Sequence, residues 1–130
     1  MERVQVDAAR AKVLEIAGLE IFVNDWEKLP LFRSQYELDA EVRKAIRANR
    51  MSQNPVRLAK ALRDYGTGNM PNLWPQVSSL RVRTLILTGE KDEKFVQIGQ
   101  KLKEEIPNSR TVQVSDVGHT IHVEDSTEFD

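Results

Sequence analysis

The sequence predicts an α/β fold in which a helical first half precedes one βαβ unit of a parallel sheet. Apolar residues recur at helical spacing through the first half of the chain. In the second half an apolar run, an amphipathic helix and a second apolar run follow one another within about 35 residues, the length of a βαβ unit. The loop at residues 66–72 separates the halves. We therefore predict two regions, residues 1–68 and 69–130.

Three helical stretches are predicted in the first region. Gly18 divides the stretch from Asp7 to Val23 into two helices, because glycine weakens a helix interior. The second stretch runs from Tyr36 to Arg50. The third begins at Asn54, a residue type that caps helices, with Pro55 at its first helical position. Its predicted apolar face consists of Leu58, Ala61, Leu62 and Tyr65.

The second region contains the predicted sheet. The run Val82–Thr88 is almost continuously apolar, as is typical of a strand covered on both faces. A helix from Phe95 to Ile106 follows, and then a second strand at Thr111–Val114. A strand–helix–strand unit of this kind makes its two strands parallel. Two strands are too few for a stable sheet, so we expect the sheet to be incomplete.

Composition and charge narrow the classes of function. Lys and Arg total 19 against 20 Asp and Glu, so the net charge of −1 gives no electrostatic basis for binding nucleic acid or an anionic membrane. Cysteine is absent, which excludes disulfides and thiolate metal sites. No apolar run approaches the ~20 residues that span a bilayer, and the first residues do not form a signal peptide. We expect a soluble cytoplasmic protein.

Two residues that could act together follow the two predicted strands. Asp92 lies in the turn after the first strand, and His119 follows the second by a few residues. Functional groups collect at the carboxyl ends of parallel strands. A carboxylate that accepts a hydrogen bond from an imidazole fixes its tautomer and stabilises its positive charge when it acts as a base. From spacing alone, an aspartate that only stabilises the turn is an equally good interpretation of Asp92.

The other histidine, His122, forms a His-x-x-His spacing with His119. This spacing can hold a metal, and Glu124 and Asp125 lie nearby, but no third ligand cluster accompanies them. We interpret His122 as a hydrogen-bonded structural residue. We predict no metal site, and the absence of a phosphate-binding loop and of a dinucleotide fingerprint agrees with the prediction of no cofactor.

The sequence has no Gly-x-Ser-x-Gly turn to present a nucleophile and no glycine-rich oxyanion loop. In α/β-hydrolases the serine precedes the acid, and the acid precedes the histidine. Asp92 and His119 would therefore follow a nucleophile that this sequence does not contain. The serines that lack flanking glycines at the required spacing are Ser34, Ser52, Ser78, Ser79, Ser109, Ser115 and Ser126.

Several motifs resemble known proteins. The segments Leu85–Phe95 and Val117–Glu124 look like the acid and histidine motifs of the α/β-hydrolase superfamily. In the helical half, Phe22–Phe32 and Arg50–Pro55 resemble the lid of one branch, as does Gly66-Thr67-Gly68 with the following Pro71 and Trp74. That branch is the 2-succinyl-6-hydroxy-2,4-cyclohexadiene-1-carboxylate synthases of menaquinone biosynthesis, as found in Bacillus-like bacteria. The resemblance extends over nearly the whole chain and covers the C-terminal part of the family.

The resemblance implies an incomplete α/β-hydrolase fold, with a helical lid over residues 1–68 and the last βαβ unit of the core over residues 69–130. The family eliminates pyruvate from a cyclohexene intermediate, using a triad serine that a histidine activates, and needs no metal or organic cofactor. By resemblance, Asp92 is the triad acid and His119 the triad base. Without the serine we expect this chain to be inactive by itself.

The substrate of the family carries several carboxylates, which the planar fork of arginine binds well. Arg3 and Arg50 match positions of substrate-binding arginines, and Trp26 matches the lid tryptophan. Arg3 could equally be a solvated helix residue, and Trp26 could pack in a core as well as line a pocket.

Three hypotheses follow. The chain is a part of this synthase that self-associates or pairs with the missing N-terminal half; or it belongs to another α/β-hydrolase that acts as an esterase or peptidase; or it is a non-catalytic interaction module.

Overall fold

A computed structural model describes residues 2–130 and divides them into two compact units. The first unit comprises the chain up to residue 29 together with residues 39–71, and the second comprises residues 30–38 and 72–130. The break at 71/72 lies close to the predicted division at 68/69. Residues 30–38, which the prediction placed in the first region, belong to the second unit. The role of residues 1–68 as a lid stays a prediction.

The first unit is entirely helical. The predicted break at Gly18 is confirmed, because this residue adopts a φ of 94° between two helices. The predicted cap at Asn54 is also confirmed, because its side-chain oxygen accepts a hydrogen bond from the Arg57 N–H at 3.1 Å. The elements are α1 (Glu2–Ile16), α2 (Leu19–Glu27), α3 (Ala40–Met51), α4 (Pro55–Tyr65) and a 3₁₀ turn at Thr67–Asn69.

Packing between α1 and α4 forms the core of the first unit. Ala11 and Ala59 are fully buried and Leu14 is 2% exposed, while larger apolar residues surround them. The predicted apolar face of α4 is wrong in part: Ala59 is the residue at its centre, and Tyr65 is 76% exposed. The small alanine side chains allow the two helix backbones to approach closely, which periodicity by itself does not reveal.

The second unit contains the predicted βαβ unit, which is confirmed. Its elements are a 3₁₀ helix at Pro30–Glu37, α5 (Trp74–Val77), β1 (Thr84–Gly89), α6 (Glu93–Glu105), β2 (Ser109–Val114), α7 (Ile121–Glu124) and α8 (Ser126–Phe129). The two strands are parallel, and their register runs from Thr84 opposite Ser109 to Gly89 opposite Val114. Both strands therefore end at the same edge, where the functional residues were predicted.

Helix α6 covers one face of this sheet. A Cβ at Gly99 would lie only 3.0 Å from the methyl carbon of Thr88, so glycine allows the helix to approach β1. On the opposite face of β1, Leu85 is 55% exposed. Leu87 on the same face packs against the cluster of Val114, Val117 and Ile121, so cover on this face is partial, and Leu85 provides the exposed apolar surface expected of an incomplete sheet. Within residues 2–130, none of the helices is long and apolar enough to cross a membrane.

Candidate active site

The turn after β1 carries Asp92, whose side chain is buried. Gly89 brings this turn against the loop after β2, because a Cβ at Gly89 would overlap the backbone oxygen of Gly118. The Lys91 N–H donates a hydrogen bond to the Val117 carbonyl oxygen at 2.8 Å. The two loops are thus joined through their backbones at the carboxyl ends of the strands.

The loop after β2 places His119 next to Asp92. The His119 Nδ1 lies 2.8 Å from the Asp92 Oδ2. Because a carboxylate only accepts hydrogen bonds, Nδ1 carries the proton in this contact and the Nε2 of the neutral ring keeps its lone pair. The ring of Phe95 packs against the imidazole with 4.7 Å between centroids. The side chain of His119 remains 33% exposed, so it can contact a reacting group.

Two further side chains hold the loop around His119. Glu124 accepts hydrogen bonds from the N–H groups of Gly118 and Thr120, each at 3.1 Å. The buried amide of Gln35 donates to the Thr120 hydroxyl at 3.0 Å. Neither role was predicted from the sequence. Glu124 was named there only as a neighbour of His122 and as the last residue of the histidine motif, and Gln35 is separated from Thr120 by 85 residues, so no local pattern connects them.

Two cavities border Asp92 inside the second unit. One, of about 180 Å³, also contacts His119 and is otherwise lined mainly by apolar residues of β1 and α6. The other, of about 340 Å³, is more polar. There the Lys91 ammonium donates to Glu37 and Asp116, and these hydrogen bonds raise the pKa of Lys91 above its ordinary value. The polar cavity is lined by Pro30, Leu31, Arg33, Ser34, Glu37, Lys91, Asp92 and Gly118.

Arg50 and Trp26 line one cavity of about 370 Å³ in the first unit. The Arg50 Nη1 lies 3.7 Å from the Glu27 Oε1. Trp26 stacks on Phe22 with 5.6 Å between ring centroids, so it both packs and lines the cavity. The remaining lining is mostly apolar and consists of Phe22, Val23, Gln53, Leu58, Ala61, Leu62, Tyr65 and Gly66.

Arg3 lies elsewhere in the first unit and does not line that cavity. Its Nε is 3.2 Å from the Oδ1 of Asp7, whose side chain is buried. About half of the Arg3 side chain is exposed. Arg3 is thus paired with a carboxylate of its own helix, α1. Of the three residues predicted to bind substrate, Trp26 and Arg50 lie at one cavity and Arg3 does not.

Among residues 2–130, no group of three or more His, Asp or Glu side chains is placed so that it could hold a metal ion. His122 is exposed, and its ring lies 5.8 Å from the ring of Phe129. His122 was predicted to be hydrogen-bonded. Among residues 2–130, its side chain instead contacts the ring of Phe129.

The parallel βαβ unit, with an acid after its first strand and a histidine after its second, defines the class: the chain has a partial α/β-hydrolase fold. The solved "Structure of MenH from S. aureus" matches with a TM-score of 0.96 and 65% sequence identity, over 98% of this chain and 48% of that chain. No protein-family model matches.

Two curated relatives are similar in sequence. The "Putative 2-succinyl-6-hydroxy-2,4-cyclohexadiene-1-carboxylate synthase" of Bacillus subtilis (strain 168) is 42% identical over 123 residues, which is 95% of this chain and 45% of that protein. "Protein PHYLLO, chloroplastic" of Arabidopsis thaliana is 28% identical over 131 residues, 94% of this chain and 8% of that protein. The resemblance to the synthase found in the sequence is confirmed. The chain spans about half the length of the Bacillus relative and of the solved structure.

Proposed function

We propose that this chain supplies the acid and the base of a 2-succinyl-6-hydroxy-2,4-cyclohexadiene-1-carboxylate synthase, which eliminates pyruvate from a cyclohexene intermediate in menaquinone biosynthesis. The observation that carries the proposal is the 2.8 Å contact between Asp92 and His119 at the ends of two parallel strands. The similarity to the synthases favours this reaction over others that use the same pair. The nucleophile comes from a region outside this sequence.

In the proposed reaction, the triad serine gives its proton to the Nε2 of His119. Asp92 keeps the Nδ1 proton in place, which leaves Nε2 free to accept, and stabilises the imidazolium that forms. The serine activated in this way takes a proton from the substrate, the electron pair of the broken C–H bond expels pyruvate, and the imidazolium returns its proton to the departing group. Neither a metal nor an organic cofactor takes part in the proposal.

Arg50 is the strongest of the proposed substrate-binding residues. Its guanidinium borders a largely apolar cavity, a combination that suits a carbon ring bearing a carboxylate. The Arg50 Nη1 lies 3.7 Å from the Glu27 Oε1, so the guanidinium already faces one carboxylate beside the cavity. Trp26 would provide part of the apolar wall. For Arg3, the ion pair with Asp7 supports a structural role, and substrate binding is supported by the resemblance to the family.

The experiment combines this chain with the part of S. aureus MenH that it does not match, expressed separately, and measures pyruvate release. We expect activity from the assembled pair, no activity from this chain by itself, and a loss of about 10⁴-fold or more in the His119→Ala variant. An assembled pair that releases no pyruvate from the cyclohexene intermediate would contradict the proposal.

The second candidate is ester or peptide hydrolysis, because a carboxylate–histidine pair serves those reactions equally well. Arg50→Ala in the assembled pair distinguishes the two. The synthase reaction should lose about 10²-fold if Arg50 binds a substrate carboxylate, whereas ester turnover should be unchanged. Arg57→Ala, an exposed arginine of α4, is the matched control. A compact, stable monomer in sedimentation that never pairs with the other half would instead favour a non-catalytic module.

The same proposal includes cytoplasmic localisation and a carboxylate-rich small molecule as the ligand. The net charge of −1 supports the expectation that neither nucleic acid nor a membrane is a partner. Self-association or pairing with the missing half would cover the exposed face of β1 at Leu85.

A further inference from the structure

Glu124 binds the backbone on both sides of His119. Its Oε1 accepts a hydrogen bond from the Gly118 N–H and its Oε2 from the Thr120 N–H, each at 3.1 Å. One carboxylate thus binds the backbone of the residue before the histidine and that of the residue after it. Charge-assisted hydrogen bonds of this kind are roughly twice as strong as those between neutral groups.

The loop that carries His119 is held at the Val117 carbonyl by the Lys91 N–H and at the Thr120 hydroxyl by Gln35, but its amides on either side of the histidine bind Glu124. It runs from the end of β2, through Asp116 with a φ of 63°, to α7, which is a single helical turn. Gly118 has no side chain, and a Cβ there would overlap the Ser34 hydroxyl and lie 3.3 Å from the Glu124 Oε1. The backbone at Gly118 is therefore enclosed by these two side chains, and the carboxylate contributes the hydrogen bond.

We propose that Glu124 is a positioning residue: its two hydrogen bonds fix the Gly118–Thr120 backbone so that the Nδ1 of His119 faces Asp92. The Nδ1–Oδ2 distance of 2.8 Å requires the ring to stand at one orientation, and a backbone that turns at either neighbour would move the imidazole away. The consequence for catalysis rests on the proposed function, whereas the orientation of the ring does not.

The chain offers a direct spectroscopic test because it contains only two histidines. Ring ¹⁵N chemical shifts distinguish an Nδ1-protonated imidazole from one that exchanges between tautomers. His119 should give the Nδ1-protonated pattern, and His122, which is exposed, serves as the internal reference. Asp92→Asn calibrates the change expected when the carboxylate is lost.

In Glu124→Gln, the amide can accept from only one of the two N–H groups, because its nitrogen is itself a donor. We expect the His119 ring shifts to move toward those of His122 and the Nδ1 proton signal to be lost, as in Asp92→Asn. Glu128→Gln removes the same charge from an exposed position nearby and should leave the shifts unchanged. Wild-type ring shifts in a folded Glu124→Gln variant would overturn the proposal.

A second measurement covers the case in which Glu124→Gln does not fold. In the unmodified chain, the amide hydrogens of Gly118 and Thr120 should exchange with solvent more slowly than in the Glu124→Asp variant. The shorter aspartate side chain cannot accept hydrogen bonds from both amides. Equal exchange at these two amides in both proteins would also overturn the proposal. Because neither measurement uses substrate, failure of the positioning role and failure of the synthase reaction give different results.

Discussion

The two units of this protein are stabilised in different ways. In the first, side chains of α1 and α4 interlock around the buried residues Ala11, Leu14 and Ala59. In the second, the functional loops meet through backbone atoms: Gly89 lies against the Gly118 carbonyl, Lys91 donates to Val117, and a carboxylate binds the amides around His119. Packing of side chains is enough to build a helical unit. Holding an acid and a base at hydrogen-bonding distance requires the backbones themselves to be fixed.

This difference predicts which substitutions each unit tolerates. The first unit should be most sensitive to the loss of buried side-chain volume. The second should be most sensitive to the addition of a side chain where a glycine now permits contact.

The largest effect is expected from Leu14→Ala, which removes a side chain that is 2% exposed in the first unit. The cavity left between α1 and α4 should lower the free energy of unfolding by about 3 kcal/mol. Ile16→Ala on the same helix, at a side chain 80% exposed, should change it by less than about 0.5 kcal/mol. Denaturant unfolding measures both. Equal effects of the two substitutions would refute the assigned core.

Gly89→Ala should come next, with a loss of about 2 kcal/mol, because the added methyl group collides with the backbone oxygen of Gly118. The same variant should lose the Nδ1-protonated signature of His119. Gly99→Ala is the comparison: its methyl group would press on side-chain carbons of Thr88 and Ile86 at 3.0 and 3.3 Å, which can shift more easily than a backbone, so it should cost less and keep the His119 signal. A Gly89→Ala protein with an intact His119 signal would show that the backbone approach is not required.

Gly18→Ala tests a glycine that is needed for a different reason. Nothing lies within 4 Å of a Cβ at this position, but its φ of 94° and ψ of 173° belong to a region that only glycine adopts readily. We expect a loss of about 1.5 kcal/mol from backbone strain, with no change in the His119 signal. A neutral or stabilising effect in denaturant unfolding would show that α1 and α2 can be joined by another backbone conformation.

The smallest effect concerns an exposed ion pair between α1 and α4. Arg63 Nη2 donates to the Glu15 Oε2 at 2.9 Å, and this hydrogen bond lowers the pKa of Glu15 below its ordinary 4.5. A lowered carboxyl pKa contributes stability that is present above pH 4.5 and is lost as the pH falls through the folded-state value. Arg63→Gln should return the pKa of Glu15, measured by NMR titration of its carboxyl group, to near 4.5. Arg57→Gln should not.

Much of this arrangement could be predicted from the sequence because it depends on local patterns. Residue spacing within short segments was enough to predict the breaks at Gly18 and Asn54 and the parallel βαβ unit. It also placed Asp92 and His119 after the two strands of that unit. The contact between Gln35 and Thr120 could not be predicted, since it joins segments 85 residues apart. An exposed apolar surface was expected for a sheet of two strands, but which residue would be exposed could not be predicted, because an apolar run gives the same signal at Leu85 and at the packed Leu87.

The assignment of residues 30–38 to the second unit has a practical consequence. A fragment cut at the 71/72 boundary would separate Asp92 and His119 from Gln35 and Glu37, which bind Thr120 and Lys91. After a proteolytic nick at that boundary, the two pieces should stay associated through this short segment rather than dissociate. To obtain the second unit as a folded piece, residues 30–38 must therefore be added back to residues 72–130 as a separate peptide.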